Sequence, residues 1–142
     1  MTRIDFYFNA PDKLGVAAKL AQKAYASKAR LLIFTRDAAT MNALDRRLWE
    51  VPATGFLPHC RASDPLAAET PVLLTSDPEA LPHHDILLNL DFERPANFSR
   101  FERLLEVVSR DDEEDRAHAR ARFKFYKDRG YEIKSNDLAK EA

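Results

Sequence analysis

The run Arg30 to Thr35, reading RLLIFT, narrows the folds open to this chain more than any other stretch. It is short, continuous and apolar, so a strand built from it must be covered on both sides, as in parallel sheets flanked by helices. Ahead of it, Ile4, Phe6 and Phe8 alternate with Asp5 and Tyr7, a period of two that makes Arg3 to Phe8 a first strand. Val72 to Thr75 and Ile86 to Leu90 are two further apolar runs. Lys13 to Lys28 carries Leu14, Ala17, Ala18, Ala21, Ala24 and Tyr25 at helical intervals, a narrow small-residue stripe suited to lying on a sheet. Asp37 can cap the next helix, where Met41, Leu44, Leu48 and Trp49 recur at helical spacing until Pro52 stops it. Strands alternating with helices predict one α/β domain over residues 1–142: a three-layer sandwich with a largely parallel sheet, Rossmann-like but without a nucleotide site.

The nucleotide site is excluded on glycine usage. Phosphate-binding first turns need glycines so that backbone amides can approach the ligand. The turn here reads NAPDKLG, and Gly15, Gly55 and Gly130 are too far apart to share a loop, so no cofactor is expected. Seven of the eight prolines fall between Pro52 and Pro95, which makes the middle third loop-rich. Phe98 to Val108 and Asp112 to Arg129 read as two closing helices, the first with Phe101, Leu104, Leu105 and Val108 on one face. Gly130 ends the last, and the polar residues 134–142 are expected to form a mobile tail.

Composition bounds the partners. With 22 Lys and Arg against 23 Asp and Glu, the chain as a whole is no polyanion binder. Cys60 is the only cysteine, so an internal disulfide is impossible and a reducing compartment is expected. Early charges interrupt any signal-like apolar core and no run reaches membrane-spanning length, which together predict a soluble cytoplasmic protein. Asp37 and Asp91 both follow predicted strands, where carboxylates can hold magnesium or act as acid and base, so a small metal-dependent α/β hydrolase or phosphotransferase is the rival enzymatic reading. Helix or turn caps account for both more simply. His59 and Cys60 are adjacent in an extended segment and point apart. His83, His84 and Asp85 imitate a metal site but lack a fourth ligand. No catalytic or metal site is expected.

One surface stands out. At about 100° per residue, Arg116, Arg120, Lys124 and Lys127 fall within about 80° of one another, with Phe123 at the edge of the stripe. Arg116 to Arg129 holds six bases and one acid, whereas Asp111 to Asp115 is wholly acidic. The helix dipole explains that gradient, and Asp112 can pair with Arg116. It does not explain an aromatic on the basic face while Ala117, Ala121 and Phe125 form a separate stripe able to face the core. Cations around an aromatic suit single-stranded nucleic acid, or an acidic peptide ending in a hydrophobic residue with a free carboxylate. The balanced net charge favours the peptide.

The stretch LDRRLWEVPATGFLPH (Leu44 to His59) places a helix end before an apolar cluster that must pack inward or onto a partner. In its order LD, LW, FLPH, together with IDFYF (Ile4 to Phe8), DILLNL (Asp85 to Leu90), ARARFKFYK and RGY (Ala119 to Tyr131), the chain resembles the chi subunit of bacterial DNA polymerase III holoenzyme, an accessory protein of the clamp-loader complex. The resemblance implies a non-enzymatic adaptor that binds the acidic C-terminal tail of the single-stranded-DNA-binding protein. It assigns that tail to Arg120, Phe123 and Lys124, with Lys127 on the same strip and Trp49 bordering the pocket. Phe123 stands where the family often has Tyr. Phe56, Leu57, Pro58 and His59 are then the surface for a psi subunit or an alternative helicase partner, with nucleic acid contacted mainly indirectly. A partner anchor at Phe56 predicts that Phe56→Ala weakens partner capture with melting temperature almost unchanged; a core role would instead show as a loss of about 3 to 5 kcal/mol on chemical denaturation.

Overall fold

Leu31 and Ile33 pack into one apolar layer and Leu32 and Phe34 into another, so this strand is covered on both faces. A computed structural model describes residues 2–50, 57–77 and 83–140. Its elements in chain order are β1 (Arg3–Ala10), α1 (Lys13–Ala26), β2 (Leu31–Phe34), α2 (Ala38–Glu50), β3 (His59–Arg61), β4 (Val72–Thr75), β5 (Ile86–Asn89), β6 (Arg103–Ser109), α3 (Glu113–Asp128) and β7 (Ile133–Asp137). The strands form one seven-stranded sheet in the order β3-β4-β2-β5-β6-β1-β7, and each pair is parallel. The small-residue face of α1 (Ala17, Ala18, Ala21, Ala24) and Met41, Leu44 and Leu48 of α2 pack on one side. On the other, Ala119 and Tyr126 of α3 pack over Ile4, Phe6, Leu104 and Val108. This is the three-layer α/β sandwich expected.

Each α-helix begins on a carboxylate. Asp12 accepts from Gly15 N–H at 3.3 Å, Asp37 from Thr40 N–H at 3.3 Å and Asp112 from Asp115 N–H at 3.2 Å. These bonds satisfy amide groups that a first turn leaves unpaired. Gly15 is there for space: a Cβ would lie 2.6 Å from the Asp12 carboxylate. Gly130, with φ +82, turns the chain out of α3 in a conformation that favours glycine.

Three expectations need correction. Phe98 to Val108 is not a helix: a 3₁₀ turn at Phe98–Arg100 leads into β6, a central strand between β5 and β1. Phe101, Leu104, Leu105 and Val108 fit helical spacing only because the run is apolar on both faces, where periodicity loses its meaning. Residues 134–142 are not simply a mobile tail, since through Asp137 they belong to β7, which pairs with β1, and Leu138–Lys140 is a 3₁₀ turn. An edge strand is held by backbone hydrogen bonds and needs few apolar side chains, so its polar sequence hid it. The core face of α3 is Asp115, Ala119, Arg122 and Tyr126, whereas Ala117 and Ala121 are exposed. Two of those buried residues are charged, which disguised the stripe. The short strand β3, at the opposite edge, was also absent from the sequence reading.

His83 provides a pH test of this packing. It is 5% exposed, its Nδ1 accepts from Asp85 N–H at 3.4 Å, and its Nε2 is buried without a partner. Burial, and then the charge of Arg30, hold the imidazole below the usual value of 6.5. The unfolded chain therefore binds this proton more readily than the folded one. The stability it contributes is complete above pH 6.5 and declines as pH falls through the lower, folded value, by at most about 1.4 kcal/mol per pH unit. Urea denaturation should show wild type losing stability between about pH 7 and pH 5 relative to His83→Phe. Parallel pH profiles for the two proteins would contradict the assignment.

Candidate functional site

The rotation of α3 about its axis is set by a buried carboxylate. Glu106 of β6 is fully buried and accepts from Tyr126 Oη at 2.7 Å, Arg122 Nε at 3.1 Å and Asn89 Nδ2 at 3.1 Å. Burial pushes its carboxyl up, against the pull of Arg122 and these hydrogen bonds. Burial and Glu106 likewise push the Tyr126 phenol far above its ordinary value, so it remains a donor. Arg122 also donates to the Phe92 carbonyl at 2.7 Å. At its start, α3 is tied down by Asp115, which accepts from Lys13 Nζ at 2.8 Å and Ser109 N–H at 2.9 Å. Burial alone would raise that carboxyl, but Lys13 and the Ser109 amide outweigh it and hold it low.

With Asp115, Ala119, Arg122 and Tyr126 pinned inward, Arg116, Arg120 and Phe123 fall on one flank of the helix. There they meet the sheet. A groove of about 300 Å³ is lined by Phe6, Phe8 and Val108 from β1 and β6 and by Arg116, Arg120 and Phe123 from α3. Phe123 packs edge-on against Phe6, ring centroids 5.2 Å apart. At the groove's end Asn9 adopts φ 62, and its Nδ2 donates to Asp137 at 2.8 Å, binding β1 to β7 there. The guanidiniums of Arg116 and Arg120 both reach Glu113, at 3.6 and 3.1 Å. This pair already holds a carboxylate beside an aromatic floor.

The structure brings together only part of the expected set. Arg120 and Phe123 line the groove with Arg116. Lys124 points to solvent and pairs with Asp128 at 3.3 Å, as follows from its place about 170° from the buried stripe. Lys127 is exposed and does not line the groove. Trp49 lies on α2, on the opposite side of the sheet, 60% exposed and edge-on to His59 at 4.7 Å. It therefore does not border this groove. Of the FLPH cluster, Phe56 lies outside the described residues. Leu57 is 2% exposed and packs in the α1/α2 core, Pro58 is half-buried, and His59 is buried with Nδ1 2.7 Å from the Leu57 carbonyl. His59 Nε2 is 3.2 Å from Asp45, but off the hydrogen-bond direction, so the contact is electrostatic at most. Leu57 and His59 are therefore buried and do not present the partner surface expected of them, because Leu57 fills the core and His59 is turned to the Leu57 carbonyl. Phe6, Phe8 and Val108 were missed as groove residues because alternation marks the first two only as strand interior and helical spacing placed Val108 on a helix.

Asp37 and Asp91, the carboxylates of the enzymatic alternative, line one crevice with Glu93 and His118, but each is engaged within the fold. Asp37 caps α2 through Thr40, and Asp91 accepts from Arg36 N–H at 2.9 Å and Arg36 Nη2 at 2.8 Å. Burial raises the Asp91 carboxyl, but the Arg36 hydrogen bonds prevail and keep it low, so it is a poor proton donor. Asp85 is engaged by Arg30 at 3.3 Å, His84 is exposed, and His83 is buried. No group of three or more His, Cys, Asp or Glu among the described residues could hold a metal ion.

Comparison with known proteins converges on one family. The family described as DNA polymerase III chi subunit, HolC, matches residues 1–134. The chain is 34% identical to DNA polymerase III subunit chi of Pseudomonas aeruginosa, covering 97% of this chain and 98% of that protein. It is 26% identical to the chi subunit of Haemophilus influenzae, over 87% and 85%. Among solved structures, the Pyrococcus furiosus Hef helicase domain superposes with a TM-score of 0.56 at 14% identity. That likeness covers 78% of this chain and 28% of the other, and it concerns the fold alone.

The buried network yields a stability prediction. Tyr126→Phe keeps the ring but removes one bond to a carboxylate and should cost about 1.5 to 3 kcal/mol in urea denaturation. Glu106→Leu leaves the Arg122 guanidinium buried without a counter-charge and should cost about 3 to 5 kcal/mol. Losses below about 0.5 kcal/mol in both variants would show that α3 is held by other contacts.

Proposed function

Because this chain belongs to the family of DNA polymerase III chi subunits, we propose that it is a non-catalytic replication accessory subunit whose groove beside α3 receives the acidic C-terminal tail of the single-stranded-DNA-binding protein. The observation that carries this reading is the Arg116 and Arg120 pair closed around Glu113 next to an aromatic floor. An exposed ion pair of this kind is worth about 0 to 1 kcal/mol, so an incoming carboxylate can displace Glu113 at little cost. A terminal apolar ring fits between Phe6, Phe8 and Phe123, while the α-carboxylate takes the guanidiniums. Lys124 and Lys127 lie farther out on the helix and serve acids upstream in the tail through longer-range attraction. Phe123, lacking the hydroxyl common in the family, contributes area rather than a hydrogen bond.

A second contact links the subunit to the clamp-loader complex. We assign it to the end of α2, where exposed Trp49 stands over His59. The FLPH resemblance supports a psi subunit or an alternative helicase partner there. The groove and this end of α2 lie on opposite sides of the sheet, a separation that suits an adaptor holding two partners at once.

The test is titration of a labelled acidic peptide ending in Pro-Phe. Each charge-assisted bond contributes about 1.5 to 3 kcal/mol, set against an association cost of about 4 kcal/mol or more, so affinity should be about micromolar and should fall with salt. Arg120→Ala and C-terminal amidation of the peptide should each weaken binding at least about tenfold, a loss of one charge-assisted bond. Glu113→Gln should strengthen it by up to about fivefold, the worth of one exposed ion pair. Equal binding of the amidated and free-acid peptides would refute the carboxylate-receptor role.

A further inference from the structure

The opposite flank of α3 carries a second surface that the tail leaves untouched. His118, Phe125 and Arg129 lie within about 40° of one another on the helix and meet the segment that follows β5. Phe92 and His118 stack face to face, centroids 4.5 Å apart and planes 7° from parallel, and Phe92 is 37% exposed. Farther along, the guanidinium carbons of Arg94 and Arg129 lie 3.6 and 4.6 Å from the centroid of the Phe125 ring. Two positive charges are therefore held no more than about 8 Å apart on one aromatic. Both arginines are exposed, and among the described residues neither has a carboxylate partner. This differs from the tail groove, where Glu113 already neutralises its arginines.

We infer that this flank is a binding site for single-stranded nucleic acid, with a base stacked on the Phe92–His118 platform and backbone phosphate held between Arg94 and Arg129. Stacked rings present a flat apolar face, and guanidiniums pre-positioned by a ring bind phosphate without first being ordered. Like charges this close repel one another, and a shared polyanion relieves the repulsion. From His118 to Arg129 the helix runs about 16 Å, a span of several nucleotides. A duplex hides its base faces, so it cannot use the platform. Asp37 and Glu93 stand in the crevice beside Phe92 and His118, which confines phosphate to the arginine end and keeps affinity low. The Asn89 side chain donates to the carbonyls of Asp91 at 3.4 Å and Glu93 at 3.3 Å, and Arg122 donates to that of Phe92. The platform is thus built on the same buried network that orients the helix.

The experiment is fluorescence anisotropy of a labelled oligothymidylate with the full chain alone, across a salt series. Weak binding is expected, with a log–log salt slope near −1.4 for about two phosphates neutralised. Arg94→Ala with Arg129→Ala should abolish most of the signal and flatten the slope, whereas Phe92→Ala should weaken binding about tenfold at unchanged slope. Arg120→Ala should leave oligonucleotide binding intact, and the Arg94/Arg129 double variant should leave tail-peptide binding intact, which separates this site from the groove. Photo-crosslinking of a 5-iodouracil oligonucleotide to unaltered protein should map to Phe92 or His118, a readout independent of any variant's folding. No anisotropy change at low salt, equal competition by duplex or polyglutamate, or crosslinks confined to Phe6, Phe8 or Phe123 would each overturn the proposal.

Discussion

Glu106 is the group that sets the orientation of α3 and, with it, both candidate surfaces. A carboxylate in the middle of a central strand is costly to bury, and here three donors from two other elements converge on it. Those donors are few in kind and fixed in direction, so satisfying them fixes the helix that supplies two of them. An apolar contact of the same area would let α3 turn by tens of degrees, because hydrophobic contact has no preferred direction. Turned by one residue, α3 would carry Phe123 off the floor of the groove and Phe125 away from Arg94. The network sacrifices some stability relative to a well-packed apolar core and gains a single rotational setting for the helix.

Two flanks of one helix follow from that setting. On one, arginines stand over an aromatic floor and hold a carboxylate of their own chain; on the other, arginines stand over a ring and hold none. The difference lies in Glu113, which opens α3 and reaches only the first flank. On the two proposals above, this difference would keep a peptide carboxylate and a nucleic-acid phosphate on separate flanks of the helix.

The carboxyl-terminal edge of the sheet has a different character. In open parallel sheets this edge is the usual place for ligands, where helix N-termini point at anions. Here Asp12, Asp37 and Asp112 occupy the N-termini of α1, α2 and α3. The positive ends of the helix dipoles are neutralised from within, and the contacts proposed above lie instead on the flanks of α3 and the end of α2.

Much of this was legible in the residues. The twice-covered run Arg30 to Thr35, the small-residue stripe of α1 and the capping aspartates specify strand, helix and end by local rules, and they led to an α/β sandwich. Arg120 and Phe123 could be named because helical periodicity is local. Other features depend on contacts between distant segments. Arg122 looked like one more surface base until Glu106, sixteen positions earlier, made it a core residue. Phe98 to Val108 looked helical because burial on both faces leaves no period to read. Trp49 and Phe123 lay on opposite sides of the sheet because α2 and α3 cross on opposite faces, a handedness that no side-chain spacing records. The sequence by itself determined β1, β2, β4, β5 and the three helices, since those rest on backbone geometry and patterning within a few residues, but not the strands β3, β6 and β7. Only the tertiary structure decided which charges are buried and which faces meet, because a charge's environment is set by the segments that fold against it.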